Sequence, residues 1–440
     1  MVSTRALAWT FGLISVVVWR SGRVAKNTIL TKHPFPEGYY SEGEFSTDCA
    51  TLKGGPDLKY CEDATFWDHL DSHGNFVDRT LLLSCDAGRK SWNTVMGPLK
   101  NPEPRGSLWF YQPDDKGTKD NTVPDPSRLK RLELKGYPAG HDFHPLGVEI
   151  YPSYAGNTSN LYVVNHARAR TVIEQFTVSP SSPTVAKYVR TLSSPYFHSA
   201  NALALTSPDS FYVTNDHLFT RRIPYLGHIL PILESVFAFP LSFMSHVTLA
   251  HPASLEPAIK VHQFSALFVP FPNGITISPD GTNVALASTT LGEVRIYTRD
   301  AATNTLTGLI ETIPVPFVPD NIRYNHDGAA LIVAGHPHFP TLTAVAANKT
   351  RVAPSWVVSI DMRPKNSALP KVEFDRQAPV SAQGKASPVA GREVRTLFQS
   401  DGSGFSSSST GLQDPITSVL YVTGLYADDG VIICHPSTKN

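Results

Sequence analysis

Charge is scarce in this chain and balanced where it occurs. Of 440 residues only 17% are charged, against ~25% in an average soluble domain. Lys and Arg number 38, as do Asp and Glu, for a net charge of +0. With no global field to hold a polyanion, nucleic acid is not expected as a partner. No apolar run reaches the ~18 to 20 residues of a spanning helix, which excludes a polytopic membrane protein. A hydrophobic content of 41% excludes a disordered chain. What is abundant is turn chemistry: 36 Pro and 29 Gly, alongside 16 Tyr and 22 Phe, favour many turns joining short strands. The expected class is all-β. At ~150 residues per domain the length suggests three domains, but a propeller can run longer as one unit.

At the amino end Arg5 precedes fourteen mostly apolar residues, Ala6 to Trp19, and Arg20 and Arg23 follow. That run is too short to span a bilayer and fits the ~7 to 15 residues of a secretory h-region, so residues 1–24 read as a signal segment. Trp19 and Arg20 stand where small residues would mark cleavage, which leaves an uncleaved signal anchor open. A buried core helix would not be flanked by arginines only. Two sequons, at Asn157 and Asn348, lie in polar stretches between strand-like runs and read as glycosylation sites of a secreted or membrane-anchored glycoprotein. Cys49, Cys61, Cys85 and Cys434 can pair in three ways in an oxidising compartment.

From about residue 60 one unit recurs: a polar residue, a short alternating strand, a turn, then an apolar return strand. Asn273 to Ser278 runs into Pro279-Asp280-Gly281, returns as Val284 to Ala287, and continues as Glu293 to Tyr297. Asp320 to Tyr324 with Leu331 to Ala334 repeats it, as does Asn201 to Leu205 with Phe211 to Val213. Earlier units open near Glu62 and Gly147, and a last one is Ser418 to Val422 with Val431 to Ile433 behind it. Three or four strands per unit of ~40 to 50 residues, with longer gaps as insertions, is the pattern of propeller blades. Six blades over residues 45–440 fit the count, with five or seven open. Residues 221–252 break the pattern: Leu226, Ile229, Leu230 and Leu233 fall at helical spacing. They read as a helical insertion over one face, either a helix packed on the rim or an apolar lid or membrane-facing helix, with Arg221 and Arg222 among headgroups.

In a propeller the innermost strand of each blade lines the channel, so the residues opening those strands converge on the axis. Here they are Glu62, Asn201, Asn273, Asp320 and Asn321. Two carboxylates and three carboxamides make a flexible cage of hard oxygens, which suits Ca²⁺. Zinc would require nitrogen or sulfur ligands that these positions do not offer. Asn165-His166, Asp216-His217 and Gly335-His336 each close a return strand, where an imidazole is either a half-buried structural group or a base beside the metal.

Together, Cys61-Glu62-Asp63, Phe143 to Val148, Val163 to His166, Asn201 with Phe211 to His217, Asn273 to Gly281, and Asp320-Asn321-Ile322 with Gly335-His336-Pro337 resemble the serum paraoxonase/arylesterase family. Its members are six-bladed propeller lactonases and arylesterases with two calcium ions in the channel. The motifs run in order over roughly residues 45–435. The resemblance implies a catalytic calcium on Glu62, Asn201, Asn273, Asp320 and Asn321, all matched. For the second, structural calcium Asp63 and the carbonyl of Val148 match, but Ala202 stands where the family has an aspartate, so that site is expected to be weak or absent. Of the histidine pair to which the family's hydrolysis is ascribed, His166 matches the supporting member, whereas Leu146 stands at the water-activating position. His144, two residues earlier, can substitute if its loop curls inward; otherwise it is a solvent-facing loop residue.

The expected activity is calcium-dependent hydrolysis of a small ester or lactone. Calcium would polarise the carbonyl, with His144, His166, His217, His336 or Asp320 activating or positioning water and Phe271 walling the pocket. The alternative is a catalytically impaired propeller serving as a secreted or membrane-anchored binding protein, motivated by Leu146 and Ala202. Strictosidine-synthase-like chemistry is disfavoured by the complete five-ligand set. Because a propeller brings its first and last strands into one blade, a Cys49–Cys434 bridge would close the ring, as the resemblance also implies. Cys61 and Cys85 would then pair on neighbouring strands of the first blade.

Overall fold

Successive residues of a strand point to opposite faces, and along most strands of this chain both faces are apolar. Leu81 and Leu83 pack toward one neighbouring sheet and Leu82 toward the other. Leu331 and Val333 likewise face away from Ile332 and Ala334. A sheet built this way must be covered on both sides, and here each sheet is covered by the next.

The computed structural model describes residues 3–25, 35, 38–41, 49–102, 105–113, 123–363, 387–389 and 391–436. Six sheets, antiparallel except for one short parallel edge pairing in each of the first two blades, form a six-bladed β-propeller. Their axial strands are Cys61–Leu70, Pro145–Ile150, Ala200–Ser207, Pro272–Ile277, Val318–Tyr324 and Ser408–Gln413. Each axial strand touches the next, and the sixth touches the first. Six apolar clusters fill the six interfaces between blades, so the core is a ring of seams and not a single centre. Blade six takes its outermost strand, Cys49–Thr51, from the amino end, where it pairs with Val431–Cys434. Disulfides join Cys49 to Cys434 and Cys61 to Cys85.

Five of the six axial strands open where the sequence pattern places them. The last blade differs: it begins at Ser408–Gln413, and the apolar run around Leu420 is its second strand, Leu420–Gly424. The segment 221–252 is also corrected. It is helical only over Leu230–Val236, and Ser242–Leu249 is the third strand of blade three. Its helix is tied to the end of that blade by Glu234, whose carboxylate accepts from the backbone N–H of Leu218 and Phe219 at 2.9 and 3.1 Å. Tyr225, Leu226 and Ile229 on the same segment are exposed.

The amino-terminal segment forms a helix, Thr4–Val24. Among the described residues no helix is long and apolar enough to cross a membrane. Residues 1–2 of the expected signal segment, and 45–48, 103–104, 114–122, 364–386, 390 and 437–440 of the expected propeller, lie outside the described residues. Asn157 and Asn348 are exposed.

The Cys49–Cys434 link spans 385 residues of chain. In the chain-entropy treatment a loop of that length contributes up to roughly 5 to 6 kcal/mol. Replacing both cysteines with alanine should therefore lower the urea midpoint while leaving the Cys61–Cys85 bridge intact. A double variant with unchanged stability would show that strand pairing alone closes the ring.

Candidate functional site: a buried oxygen cluster on the propeller axis

The residues that open the axial strands meet at one end of the channel because those strands approach unusually closely. Gly274 follows Asn273 on the axial strand of blade four, and a Cβ there would lie 2.5 Å from Asn321 Cα. Gly147 does the same for blade two, where a Cβ would collide with the Asn201 carbonyl. Side-chain-free positions beside the functional ones let neighbouring strands bring their polar residues together.

Glu62, Asn201, Asn273 and Asp320 line one cavity, joined by His144, Leu146, His166, Asp216, Phe271 and His336. Asn321 is bound to Glu62, its Nδ2 donating to Oε1 at 3.0 Å. Asn273 Nδ2 donates to Asp320 Oδ1 at 2.7 Å, and Asn201 Nδ2 to Asp216 Oδ2 at 3.4 Å. His336 Nε2 donates to Asp320 Oδ2 at 2.8 Å. Each carboxamide thus spends its N–H groups on a neighbour, which fixes where its oxygen lies. Those three oxygens and Glu62 Oε2 are buried with no donor facing them.

A buried acceptor left in this way costs about 1–3 kcal/mol, and four in one cluster are not a feature of ordinary packing. Burial, then the charges of Asp63 and Asp320, push the Glu62 carboxyl well above the usual carboxylate range. Among the described residues no three His, Cys, Asp or Glu side chains gather as a metal-binding group. The donors here are instead two carboxylates and three carboxamides, and that set fits a hard, oxygen-seeking cation.

The second position implied by the resemblance does not fit one. Asp63 is fully buried, and both its oxygens lie 3.0 Å from Arg323 Nη2. Thr410 Oγ1 and the N–H groups of Ala64 and Val148 donate to the same carboxylate. Arg323 Nη2 also reaches Glu149 Oε1 at 3.1 Å. A guanidinium therefore occupies the ground where Asp63 would meet a second ion, and Ala202 offers no carboxylate to compete for one. Burial raises Glu149 to about 7 even with Arg323 beside it.

The histidines differ in what their nitrogens are free to do. His166 is engaged on both sides, Nδ1 with Thr94 Oγ1 and Nε2 with the Ala200 carbonyl, each at 2.7 Å. Burial, with the Arg222 charge, lowers it to about 4. His217 Nε2 meets Ser235 Oγ at 2.7 Å on the inserted helix, and its Nδ1 faces Asp216 at 3.4 Å. Burial alone would raise Asp216, but the hydrogen bond and charge of His217 bring it below its ordinary value. Phe271 stands 4.3 Å from the His217 ring, centroid to centroid, as a cavity wall. His144 is not a solvent-facing loop residue: it is 2% exposed, with Nδ1 2.9 Å from Asp86 Oδ2. Leu146 is packed in the seam between blades two and three.

Three partners were not legible as site residues. Arg323 stands two residues beyond Asn321 on one strand, and period-two alternation could have placed it on the same face. Glu149 likewise stands two residues beyond Gly147, near which the blade-two unit opens. Asp86 meets His144 across 58 residues of sequence and carries no local signal.

Two outcomes follow from this geometry. Replacing Arg323 by methionine leaves Asp63 and Glu149 without their cation and should cost on the order of 3–5 kcal/mol in urea unfolding. Adding Asp63→Asn should recover part of that loss, and equal stability of Arg323→Met and wild type would show that the guanidinium is not the compensating charge. The second concerns pH. His166 stays neutral in the folded protein down to about 4, whereas its unfolded value is the ordinary 6.5. Unfolded chain takes up a proton that folded chain refuses, so stability falls as pH drops through that window, by on the order of 3 kcal/mol from this residue. Thermal melts of His166→Asn should show a shallower decline over the same range, and an identical slope would contradict the neutral assignment.

An arylesterase family profile matches residues 101–375, more than half of the chain. Serum paraoxonase/arylesterase 1 of Homo sapiens is 26% identical over 196 residues, covering 44% of this chain and 50% of that protein. Serum paraoxonase/arylesterase 2 of Gallus gallus is 26% identical over 237 residues, 54% of this chain and 59% of the relative. Serum paraoxonase/lactonase 3 of Homo sapiens is 25% identical over 211 residues, 48% and 54% respectively. The chain spans about half the length of these curated relatives. With the six-bladed propeller and the ordered axial motifs, the matched profile shows that the chain belongs to the arylesterase family, as a divergent member.

Proposed function

We propose that the protein is a calcium-dependent hydrolase of small carboxylic esters or lactones, with one Ca²⁺ held by Glu62, Asn201, Asn273, Asp320 and Asn321. The observation that carries this reading is the set of four buried side-chain oxygens without donors, three of them on residues that line one cavity with Asp320. A bound calcium ion would polarise the scissile carbonyl and stabilise the oxyanion that develops on it. Around it, His336 holds the Asp320 carboxylate in one orientation through its 2.8 Å contact. Trp92, Phe271, Phe339 and Leu342 supply an apolar wall that can seat an aryl or alkyl group and thin out water. His166, fixed on both nitrogens, buttresses blade three by holding the Ala200 carbonyl next to Asn201.

The two disulfides and the exposed asparagines of both sequons support passage through the secretory pathway. The relatives named as arylesterases and lactonases support an ester-type substrate.

Elemental analysis after dialysis should find one calcium per chain, lost in Asp320→Ala. Phenyl acetate and aliphatic lactones should be hydrolysed, with activity abolished by chelator and restored by added Ca²⁺. Tightly retained calcium with no turnover of either substrate class would favour a binding propeller, consistent with the apolar seat of Leu146. Two retained ions would overturn the assignment of the second position to Arg323.

A further inference from the structure

The family resemblance leaves the cavity without its usual base at Leu146, yet the cavity contains an imidazole held as a base would be. We infer that His144 accepts the proton of the attacking water, with Asp86 as its positioning residue; this rests on the hydrolase reading above. His144 and Asp86 both line the cavity that contains Glu62 and Asp320. His144 Nδ1 lies 2.9 Å from Asp86 Oδ2, and both side chains are buried. A carboxylate only accepts, so the proton of the neutral ring sits on Nδ1 and the Nε2 lone pair is left free. That Nε2 is buried and has no partner.

Both groups are themselves braced. Asp86 Oδ1 accepts from the Gly88 N–H at 2.8 Å. The His144 N–H donates to Asn165 Oδ1 at 2.8 Å, and its carbonyl accepts from the His166 N–H at 3.0 Å. The Trp92 ring lies against the imidazole, 5.9 Å between centroids. Such bracing fixes a rotamer and a tautomer, which is what a general base requires.

The other imidazoles are worse placed. His166 has neither nitrogen free, and His217 spends Nε2 on Ser235. His336 keeps a free Nδ1, but its partner Asp320 belongs to the proposed cation cage. Asp86 has no such second duty.

In the step, a water oxygen bonds to the carbonyl carbon while one of its protons passes to His144 Nε2. The imidazolium so formed keeps its Nδ1–H on Asp86. The carbon–oxygen bond to the alcohol portion then breaks, and the proton on Nε2 passes to the departing alkoxide. In a lactone that alkoxide is the other end of the same molecule. Ester and water become acid and alcohol, with no further reactant.

Steady-state kinetics on phenyl acetate and δ-valerolactone in saturating calcium test this, together with calcium titration calorimetry on each variant. His144→Gln should lower kcat by on the order of 10² to 10⁴-fold, with KM and calcium affinity within about twofold of wild type. Asp86→Asn, whose amide would donate to Nδ1 and force the proton onto Nε2, should lower kcat comparably, and Asp86→Glu should recover part of it. Free imidazole should restore turnover to His144→Gly, which a purely structural role would not allow. If wild type turns over and His144→Gln retains more than a third of its kcat, the dyad is overturned while the hydrolase reading stands. No turnover by calcium-loaded wild type overturns both. Should His144→Gln fail to fold, Asp86→Asn decides, and an unchanged kcat there rejects the dyad.

Discussion

Negative charge is concentrated where the protein can least solvate it. Glu62 and Asp63 are consecutive on the axial strand of blade one, Glu149 lies on blade two and Asp320 on blade five, all in the water-poor channel. Carboxylates so buried are tolerable only when paired or neutralised. The channel meets this requirement in two ways. Around Asp63 and Glu149 the chain brings its own cation, Arg323. Around Glu62 and Asp320 it brings carboxamides, which share out their N–H groups and leave oxygens facing inward. The first arrangement is complete within the protein. The second leaves four buried oxygens without a donor, and on that asymmetry the proposed cation site rests.

The close approach of the axial strands makes both arrangements possible. Glycines at 147 and 274 let backbone pack against backbone beside the ligand-bearing residues. Polar side chains at one phase of the repeat then share a small volume although they lie hundreds of residues apart. The seams between blades hold this geometry with apolar clusters, since each strand's alternate residues belong to different seams. Stability and function are thereby separated along one strand: its opening residues carry polar chemistry and its later residues fill the seams.

Five blade starts were legible because a polar opening residue followed by alternation is a local pattern. The sixth was not, because Ser408–Gln413 carries three hydroxyl residues in a row and no apolar alternation. Its burial is satisfied by distant partners: Ser408 Oγ donates to the Gly335 carbonyl, and Thr410 Oγ1 to Asp63. Hydroxyls that find such partners look like loop residues in sequence. The insertion over 221–252 was over-extended for the opposite reason. Phe243, Met244 and Val247 are apolar enough to continue a helical pattern, but strand pairing with Phe211 to Asn215 claims them. The oxygen cage was legible for the same reason the blades were, while Asp86 and Arg323 needed the fold to bring them to their partners.

Leu146 and His144 illustrate how two nearby positions of one blade divide packing from polar chemistry. Leu146 lies inside the strand Pro145–Ile150 and fills the seam with blade three, beside Phe197 and Ala200. A polar side chain there would lose that packing unless it found a partner. His144 precedes the strand, so its ring is not committed to the seam. Its backbone is instead fixed by Asn165 and His166 on the neighbouring strand end, and its ring by Asp86. An imidazole at this position can be held as firmly as one within the strand, because the bracing comes from side-chain and loop hydrogen bonds and not from the sheet ladder. With Leu146 given over to the seam, the base proposed for the cavity stands two residues earlier, braced without the help of the strand.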